Sequence, residues 1–434
     1  MSIPTLDLYI GGAWVPASSS EVLDAVNPAT GETIAHVPVA TPSDLDAAAT
    51  SAAEGFSRWR RTGPAARCAI ILRAAALLRQ RLESIAAVMS SEQGKPMQEA
   101  RSETLRAAEL IEWAAEEGRR TYGHTIPAPD GTRYLTFWEP IGPVLALTPW
   151  NFPLVSPARK VGSSLAAGCS CILKPSEITP LSAIELVRAF ADAGLPPGVL
   201  NLVLGHPAPI SRHLLEHSAV RAVTFTGSVP VGKSLSEQAG RLMKPALMEL
   251  GGHSPVIVFD DVDVDKIAKA AVTAKFRNAG QVCTSPTRFY VQANIYDAFV
   301  ETFARHAAAL RLAAQGEGAG VMGPVVSERR RKTLSDLIED ARAQGARVII
   351  GGKSPAGAGF FLEPTVLADV PTTARIMHEE PFGPVAVLNR FTAVEEVLAS
   401  ANALPFGLAA YLFTANLAVA RQVSHGLECG IVGI

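Results

Sequence analysis

One of the five cysteines sits where a substrate could reach it. Cys283 lies in the stretch Asn278-Ala279-Gly280-Gln281-Val282-Cys283-Thr284-Ser285, a small polar turn between a predicted helix over 266–276 and a predicted strand over 288–292. The nucleophile of cysteine chemistry is the thiolate, which needs partial exposure and polar or electropositive surroundings. The ordinary alternative is a buried thiol acting as a small hydrophobe. Glu249, in Met248-Glu249-Leu250-Gly251-Gly252, is an acid with apolar flanks, a setting that raises a carboxyl pKa and suits a general base. Its alternative is a solvated surface glutamate. Asn151 offers a neutral amide N–H of the kind that holds an oxyanion. Glu380, in Glu379-Glu380-Pro381-Phe382-Gly383-Pro384, is a further acid at the entry to a strand.

A second group of residues suits a dinucleotide. Gly227 and Gly232 spell GxxxxG at a strand-to-helix turn, where backbone amides could approach a pyrophosphate. The pattern is neither GxGxxG nor a P-loop, and an ordinary strand-to-helix turn would also account for it. Lys174 and Glu177 follow a predicted strand and offer an ammonium donor and a carboxylate acceptor for ribose hydroxyls. A carboxylate there repels a 2′-phosphate, so Glu177 favours NAD over NADP. Plain loop charges are the alternative.

These residues must be positioned by a scaffold, and the patterning supplies one. Short strands are predicted at 8–10 and 33–38, followed by Ala-rich amphipathic helices over 43–59, 64–91 and from Pro96 to about 119. Residues 122–139 are punctuated by Pro and Gly, and 133–138 alternate, which predicts an extended ribbon able to pair with another subunit. Apolar runs at 144–147, 170–173, 199–204 and 220–225 then alternate with helices, the mark of a parallel sheet covered on both faces. A second set runs through 256–259, the Cys283 turn, 348–350, 383–388 and 408–413, with a helix to His425. The expected division is 1–120 with 140–250 as a dinucleotide-binding domain, 121–139 as an oligomerisation ribbon and 251–434 as a catalytic domain. The active-site cleft is expected near Gly251 and Gly252, because ligands bind beyond the carboxyl ends of such strands.

Composition narrows the class. The chain has 434 residues, 48% of them hydrophobic and 18% charged, and a formal net charge of −2. Nothing in that balance points to nucleic acid or an anionic membrane surface. No His/Cys cluster has metal-ligand spacing, so no metal is expected, and five unpatterned thiols fit a reducing compartment. No signal-peptide layout and no apolar run of roughly 20 residues is present, so a soluble cytoplasmic protein is expected.

The motifs PWNFP (149–153), KPSE (174–177), FTGS (225–228), MELGG (248–252), GQVC (280–283) and EEPFGP (379–384) occur in the order and spacing of the aldehyde dehydrogenase superfamily. The chain resembles that superfamily over essentially its whole length. The resemblance implies an α/β fold of two doubly wound parallel-sheet domains plus a small ribbon. It implies Cys283 as the nucleophile that attacks an aldehyde, with Asn151 and the Cys283 backbone amide holding the oxyanion. Glu249 would activate the water that hydrolyses the resulting thioester, and Lys160 matches a lysine given a proton-relay role. Pro149, Trp150, Lys174, Glu177, Gly205, Gly227, Ser228, Gly232, Leu250, Glu380 and Phe382 match cofactor contacts. Where the family has a glycine-x-glycine turn after the third strand, this chain has Gly205-His206-Pro207.

Arg159 and Arg277 match arginines that bind the distal carboxylate in succinate-semialdehyde dehydrogenases, and forked guanidiniums suit that group. Surface or domain-bridging ion pairs are the alternative. Ser285 stands where some relatives carry a second cysteine, so a redox switch built on that pair is not expected. Relatives continue for several dozen residues past Ile434, a part that supplies a pocket loop and a strand for a neighbouring subunit. The leading expectation is an NAD-dependent, cytoplasmic dehydrogenase, a homodimer or homotetramer if that part is present. Succinate semialdehyde is the first substrate and 2-oxoglutarate semialdehyde the second, with a general aldehyde dehydrogenase as the alternative. A non-catalytic nucleotide-binding homologue is the reading from another class.

Overall fold

A computed structural model describes residues 3–314, 316, 318 and 320–434. Two compact units emerge, one made of residues up to 26, 32–93 and 100–249, the other of 27–31, 94–99 and 250–434. The division falls after Glu249. The short stretches 27–31 and 94–99, expected in the first domain, belong to the second unit.

The first unit opens with β1 (Leu8–Ile10), β2 (Ala13–Val15), β3 (Val22–Val26) and β4 (Thr33–Pro38). Four helices follow: α1 (Pro42–Trp59), α2 (Pro64–Gln80), α3 (Leu82–Gln93) and α4 (Met97–Glu117). A two-stranded antiparallel ribbon comes next, β5 (His124–Pro127) with β6 (Arg133–Thr136), exposed at every strand position. Strands and helices then alternate through β7 (Val144–Leu147), α5 (Val155–Ala166), β8 (Cys171–Lys174), α6 (Leu181–Asp192) and β9 (Leu200–Leu202). The run continues through α7 (Pro207–Glu216), β10 (Ala222–Gly227), α8 (Val229–Arg241) and β11 (Ala246–Leu250). The main sheet has the order β11-β10-β7-β8-β9-β1-β2. Its centre is parallel, and β7 and β8 are buried at every position, as strands covered on both faces must be.

The second unit contains β12 (Ser254–Val258), α9 (Val264–Phe276), β13 (Pro286–Gln292), α10 (Tyr296–Ala308), β14 (Arg311–Leu312) and β15 (Val321–Met322). After these come α11 (Glu328–Ala343), β16 (Arg347–Ile350), β17 (Thr365–Ala368) and β18 (Val385–Phe391). The last elements are α12 (Val394–Asn402), β19 (Ala409–Phe413), α13 (Leu417–Gly426) and β20 (Ile431–Gly433). Its sheet runs β16-β17-β18-β13-β12-β19-β20, parallel except at the β16–β17 edge. The apolar run at 431–433 is thus a strand, paired parallel with β19. Among the described residues no helix is long and apolar enough to cross a membrane.

Three sequence expectations need correction. The single helix over 64–91 is two, because Arg81 leaves helical geometry (φ −96°, ψ 18°) between α2 and α3. The strand that carries Glu249, β11, had no clear apolar run to announce it. Both sheets also carry antiparallel edges, β1 and β2 in one and β16 in the other.

Two helices that frame the parallel strands have no side-chain cap of their own: α5 starts from Leu154 and α6 from Pro180. Carboxylates from distant helices satisfy their first amides instead. Glu103 of α4 accepts from the N–H groups of Leu154 and Val155 at 3.0 and 3.1 Å. Glu92 of α3 accepts from the N–H groups of Leu181 and Ser182 at 2.7 and 2.8 Å, and from the Ser182 hydroxyl. Negative charge at a helix N-terminus is favourable, and an orphaned buried N–H is costly. Glu103→Leu, which strands two amides, should therefore cost about 2–4 kcal/mol in urea unfolding. A change below about 0.5 kcal/mol would show that α5 does not need this cap.

Candidate active site

In the first unit, the carboxyl end of β7 opens into residues 148–154, which lead into α5. Asn151 is buried in this loop, 4% exposed, and the Glu103 carboxylate anchors the loop where it becomes helix. Lys160 lies on the inner face of α5, 7% exposed, and its Nζ donates to Thr224 Oγ1 on β10 at 2.8 Å. Burial pushes the Lys160 ammonium down to about 8, while the Glu249 charge acts in the opposite direction. The Glu249 charge therefore reaches Lys160 across the β10–β11 end of the sheet, with Glu249 half-buried. Arg159, next along α5, is exposed.

The expected cofactor residues of this unit also stand at strand ends. Lys174, the last residue of β8, is 3% exposed, and its Nζ donates to Glu177 Oε2 at 2.9 Å. Burial lowers the Lys174 pKa, and Glu177 opposes that shift. Gly205 follows β9 with φ +122°, beside the Val39 backbone. At the end of β10, Ser228 is the N-cap of α8 but makes no capping bond with its own side chain, and the Gly232 N–H donates to Ser228 O at 2.9 Å. The Thr148 hydroxyl, between β7 and Pro149, is buried and has no hydrogen-bond partner.

In the second unit the small polar turn expected around the cysteine is largely buried. Asn278, Ala279, Gly280, Gln281, Val282 and Ser285 are buried, and only Cys283 and Thr284 are partly open. Asn278 and Ala279 take positive φ (51° and 52°), and Gly280 follows at 69°. A Cβ on Gly280 would lie 2.1 Å from Gly383 O, so no side chain fits there. Gln281 holds the turn: its Nε2 donates to Asn278 O at 3.0 Å, and its Oε1 accepts from the Val326 N–H at 2.9 Å. Beside Cys283, the Tyr411 hydroxyl donates to Thr284 O at 2.6 Å. Burial raises the Tyr411 pKa; the Arg277 charge lowers it and Cys283 raises it, so these three groups share one neighbourhood. The Arg277 residue itself is exposed.

Glu380 and Phe382 lie in the loop before β18. Glu380 Oε1 accepts from the Gly252 N–H at 3.2 Å, and a Cβ on Gly251 would lie 2.3 Å from Glu380 Oε2. The MELGG glycines thus make room for this acid. Burial pushes Glu380 up to about 7, against the Arg330 and Lys275 charges. Arg330 of α11 clamps the loop: Nε donates to Phe382 O at 3.1 Å, and Nη2 to Glu380 O at 3.5 Å and to Pro381 O. Its guanidinium also lies 5.8 Å from the Phe382 ring centroid, and Phe382 takes a strained φ of 45°.

The site candidates form two sets. Asn151, Lys160, Lys174, Glu177, Ser228 and Glu249 belong to the first unit; Cys283, Arg277, Glu380 and Phe382 belong to the second. Sequence reasoning missed Glu103, Lys275, Arg330 and Tyr411. Arg330 hides in Arg329-Arg330-Arg331-Lys332, a run that reads as a solvated face, and Tyr411 sits in an apolar strand. Lys275 carried the one usable signal, a lone cation on the apolar side of α9. No group of residues that could hold a metal is found among the described residues.

The sequence matches the aldehyde dehydrogenase family over residues 14–434. It is 46% identical over 429 residues to a putative 4-(hydroxymethyl)benzenesulfonate dehydrogenase of Comamonas testosteroni, covering 99% of this chain and 89% of that protein. It is 41% identical to the NADP(+) succinate-semialdehyde dehydrogenase of Escherichia coli K12, covering 98% and 88%. Among solved structures, succinate-semialdehyde dehydrogenase from Burkholderia pseudomallei superposes with a TM-score of 0.97 at 40% identity, covering 99% of this chain and 89% of that one.

The lowered Lys160 pKa sets a pH signature. Burial disfavours the ammonium, so the neutral amine accumulates as pH rises through about 8. If that amine passes protons, kcat should climb between about pH 7 and 9, and Lys160→Met should flatten that limb. An unchanged limb in the variant would assign the titration to another group.

Proposed function

Because the chain belongs to the aldehyde dehydrogenase family and is an oxidoreductase, we propose that it oxidises an aldehyde bearing a distal anion to the acid, with succinate semialdehyde first and 2-oxoglutarate semialdehyde second. The observation that supports this most directly is that Cys283 and the Arg277 cation both act on the Tyr411 hydroxyl. A half-open thiol, in a turn otherwise buried, shares the surroundings of Tyr411 with the Arg277 guanidinium. A guanidinium near the nucleophile selects substrates that end in an oxyanion, which it binds in a forked, charge-assisted way. A second reading, an aldehyde ending in a sulfonate, is supported by the 46% identity to a protein named for a benzenesulfonate substrate. A sulfonate offers the same oxygens to a guanidinium.

In this reading the Cys283 thiol gives up its proton and Sγ bonds to the aldehyde carbon. The carbonyl electron pair moves to oxygen, where the Asn151 amide and the Cys283 N–H stabilise the charge. A hydride leaves the same carbon and a thioester remains. Glu249 takes a proton from water, the hydroxide adds to the acyl carbon, and the C–S bond breaks to release the Cys283 thiolate and the carboxylic acid, which then loses its proton to solvent.

The donor set suits a nicotinamide dinucleotide. Lys174 and Glu177 provide donor and acceptor for ribose hydroxyls, the α8 N-terminus presents amides to a pyrophosphate, and Glu380 with Phe382 would hold the nicotinamide end. When bound, the dinucleotide accepts the hydride. We assign NAD ahead of NADP because the Glu177 carboxylate repels a 2′-phosphate. We also place the protein in the cytoplasm, since five cysteines outside any disulfide suit a reducing compartment. The first residues to 120 with 140–250 would bind the dinucleotide, and 251–434 would carry catalysis.

Reduced cofactor should form with succinate semialdehyde, 2-oxoglutarate semialdehyde or a sulfonated aldehyde at kcat/KM values well above that for hexanal, and faster with NAD than with NADP. Arg277→Ala should raise KM for the anionic aldehydes roughly 10–100-fold while leaving hexanal within about threefold. Equal losses on both substrate types would sink the anion clamp.

The ribbon supports a homodimer or homotetramer. Ile126, Tyr134 and Leu135 are 47%, 59% and 56% exposed on β5 and β6, an apolar edge suited to a second copy. Light scattering should give the mass of two or four chains, and Leu135→Asp should lower it. A monomer before mutation would remove the ribbon from this role.

A further inference from the structure

Lys275 is the least explained charge in the protein. It lies on α9, fully buried at 0% exposure. A buried ammonium is costly unless it is held by specific partners. Its Nζ donates to Ser285 Oγ at 3.3 Å, two residues past the nucleophile. Ser285 is itself fixed in the turn, its N–H donating to Val282 O at 2.9 Å and its hydroxyl to Pro286 O at 3.4 Å. The acid whose charge bears on Lys275 is Glu380, which in turn feels Lys275 and Arg330.

We propose that Lys275 is a positioning residue that holds the nucleophile turn through Ser285 while its charge acts, without direct contact, on the Glu380 carboxylate of the cofactor loop. This rests on the reading of Glu380 as a cofactor residue. Besides Lys275, Arg330 from α11 and the Gly252 N–H act on the Glu380 carboxyl, and Lys275 has the Ser285 hydroxyl and the neutral imidazole of His253 as neighbours. Glu379, the acid beside Glu380 in the chain, is taken up by Arg375 at 2.8 Å. Burial favours the uncharged form of each partner, pushing Lys275 down to about 7 and Glu380 up to about 7, and their mutual attraction opposes both shifts. Removing the ammonium leaves Glu380 with Arg330 as its one remaining cation beside the Gly252 N–H, so the carboxyl holds its proton to higher pH. A protonated Glu380 is a poorer acceptor for two ribose hydroxyls. Loss of the Ser285 contact would also free the turn that presents Cys283.

The test uses the full chain and three variants, with NAD binding measured by calorimetry and Cys283 alkylation by iodoacetamide without cofactor. Lys275→Met should weaken NAD binding about tenfold at neutral pH, with the deficit shrinking as pH rises toward about 9. It should also change the alkylation rate at least about threefold. Ser285→Ala, which keeps the charge, should change alkylation but leave NAD affinity as in the parent. Glu380→Gln should weaken NAD binding at all pH values. If Glu380→Gln binds NAD normally, the reading of Glu380 fails. If it binds weakly while Lys275→Met binds with parent affinity and pH profile, the Lys275 tie is overturned. Should Lys275→Met fail to fold, an unchanged alkylation rate in Ser285→Ala overturns it instead.

Discussion

The structure depends on a turn that buries nearly everything around one thiol. Between Asn278 and Ser285 the chain makes three consecutive positive-φ residues, two of which carry side chains, and such geometry persists only where its surroundings dictate it. The dictating group is the Gln281 amide. Fully buried, it closes the turn on Asn278 O and reaches the 324–326 segment through the Val326 amide. Asn278 returns a bond from Nδ2 to Gln281 O at 3.2 Å, and its N–H donates to Glu99 at 2.8 Å. The Gln281 amide, bonded at both its nitrogen and its oxygen, is rigid, because each alternative arrangement strands a polar group in low dielectric. The result is a backbone that cannot relax toward solvent and a Cys283 that stays half-open without depending on its own contacts.

The same principle recurs with charge. Glu92, Glu103, Lys275 and Arg288 are buried, and each fixes backbone or loop geometry with its bonds. Arg288 shows it most fully, donating to the carbonyls of His253, Ser400 and Ala401 at 3.0 Å each. His253, bonded to Thr287 and Ile376, is driven down to about 3 by burial and by the neighbouring Arg288 charge, so it stays neutral. Ions of this kind add little net stability relative to a well-packed apolar core, but removing one partner strands the other. Their value lies in fixing geometry, which a fluid apolar contact would not do.

How far these features can be read from sequence follows from how local their causes are. The β7 and β8 strands were legible because a parallel strand buried on both faces must be an unbroken apolar run, and the residues ending them were legible as polar punctuation. Cys283, Asn151 and Glu249 stood out as candidates through short motifs and the resemblance those motifs carry. The helix break at Arg81 was not legible, since 65–91 holds neither Pro nor Gly and its periodicity continues across the break. Arg81 is spent on an ion pair with Asp192, 2.6 Å away in space and 111 residues along the chain. The Arg330 clamp and the Glu103 cap join residues about fifty apart, and the Gln281 bridge joins residues 45 apart. No local pattern records such separations.

The balance at Glu380 shows why that separation matters for function. A carboxyl whose folded pKa rises from 4.5 to about 7 contributes stability that is complete below 4.5 and lost as pH climbs through 7. An ammonium lowered from 10.5 to about 7 does the reverse, its contribution complete above 10.5 and lost as pH falls through 7. Ionising Glu380 is therefore opposed by burial and favoured by two cations carried on different helices, α9 and α11. Neither helix could be exchanged for an apolar one without moving the acid's titration, even though neither cation would need to touch a substrate. The loop that holds Phe382 in a strained conformation is thereby fixed by Arg330, one of the two charges that set the ionisation of its acid.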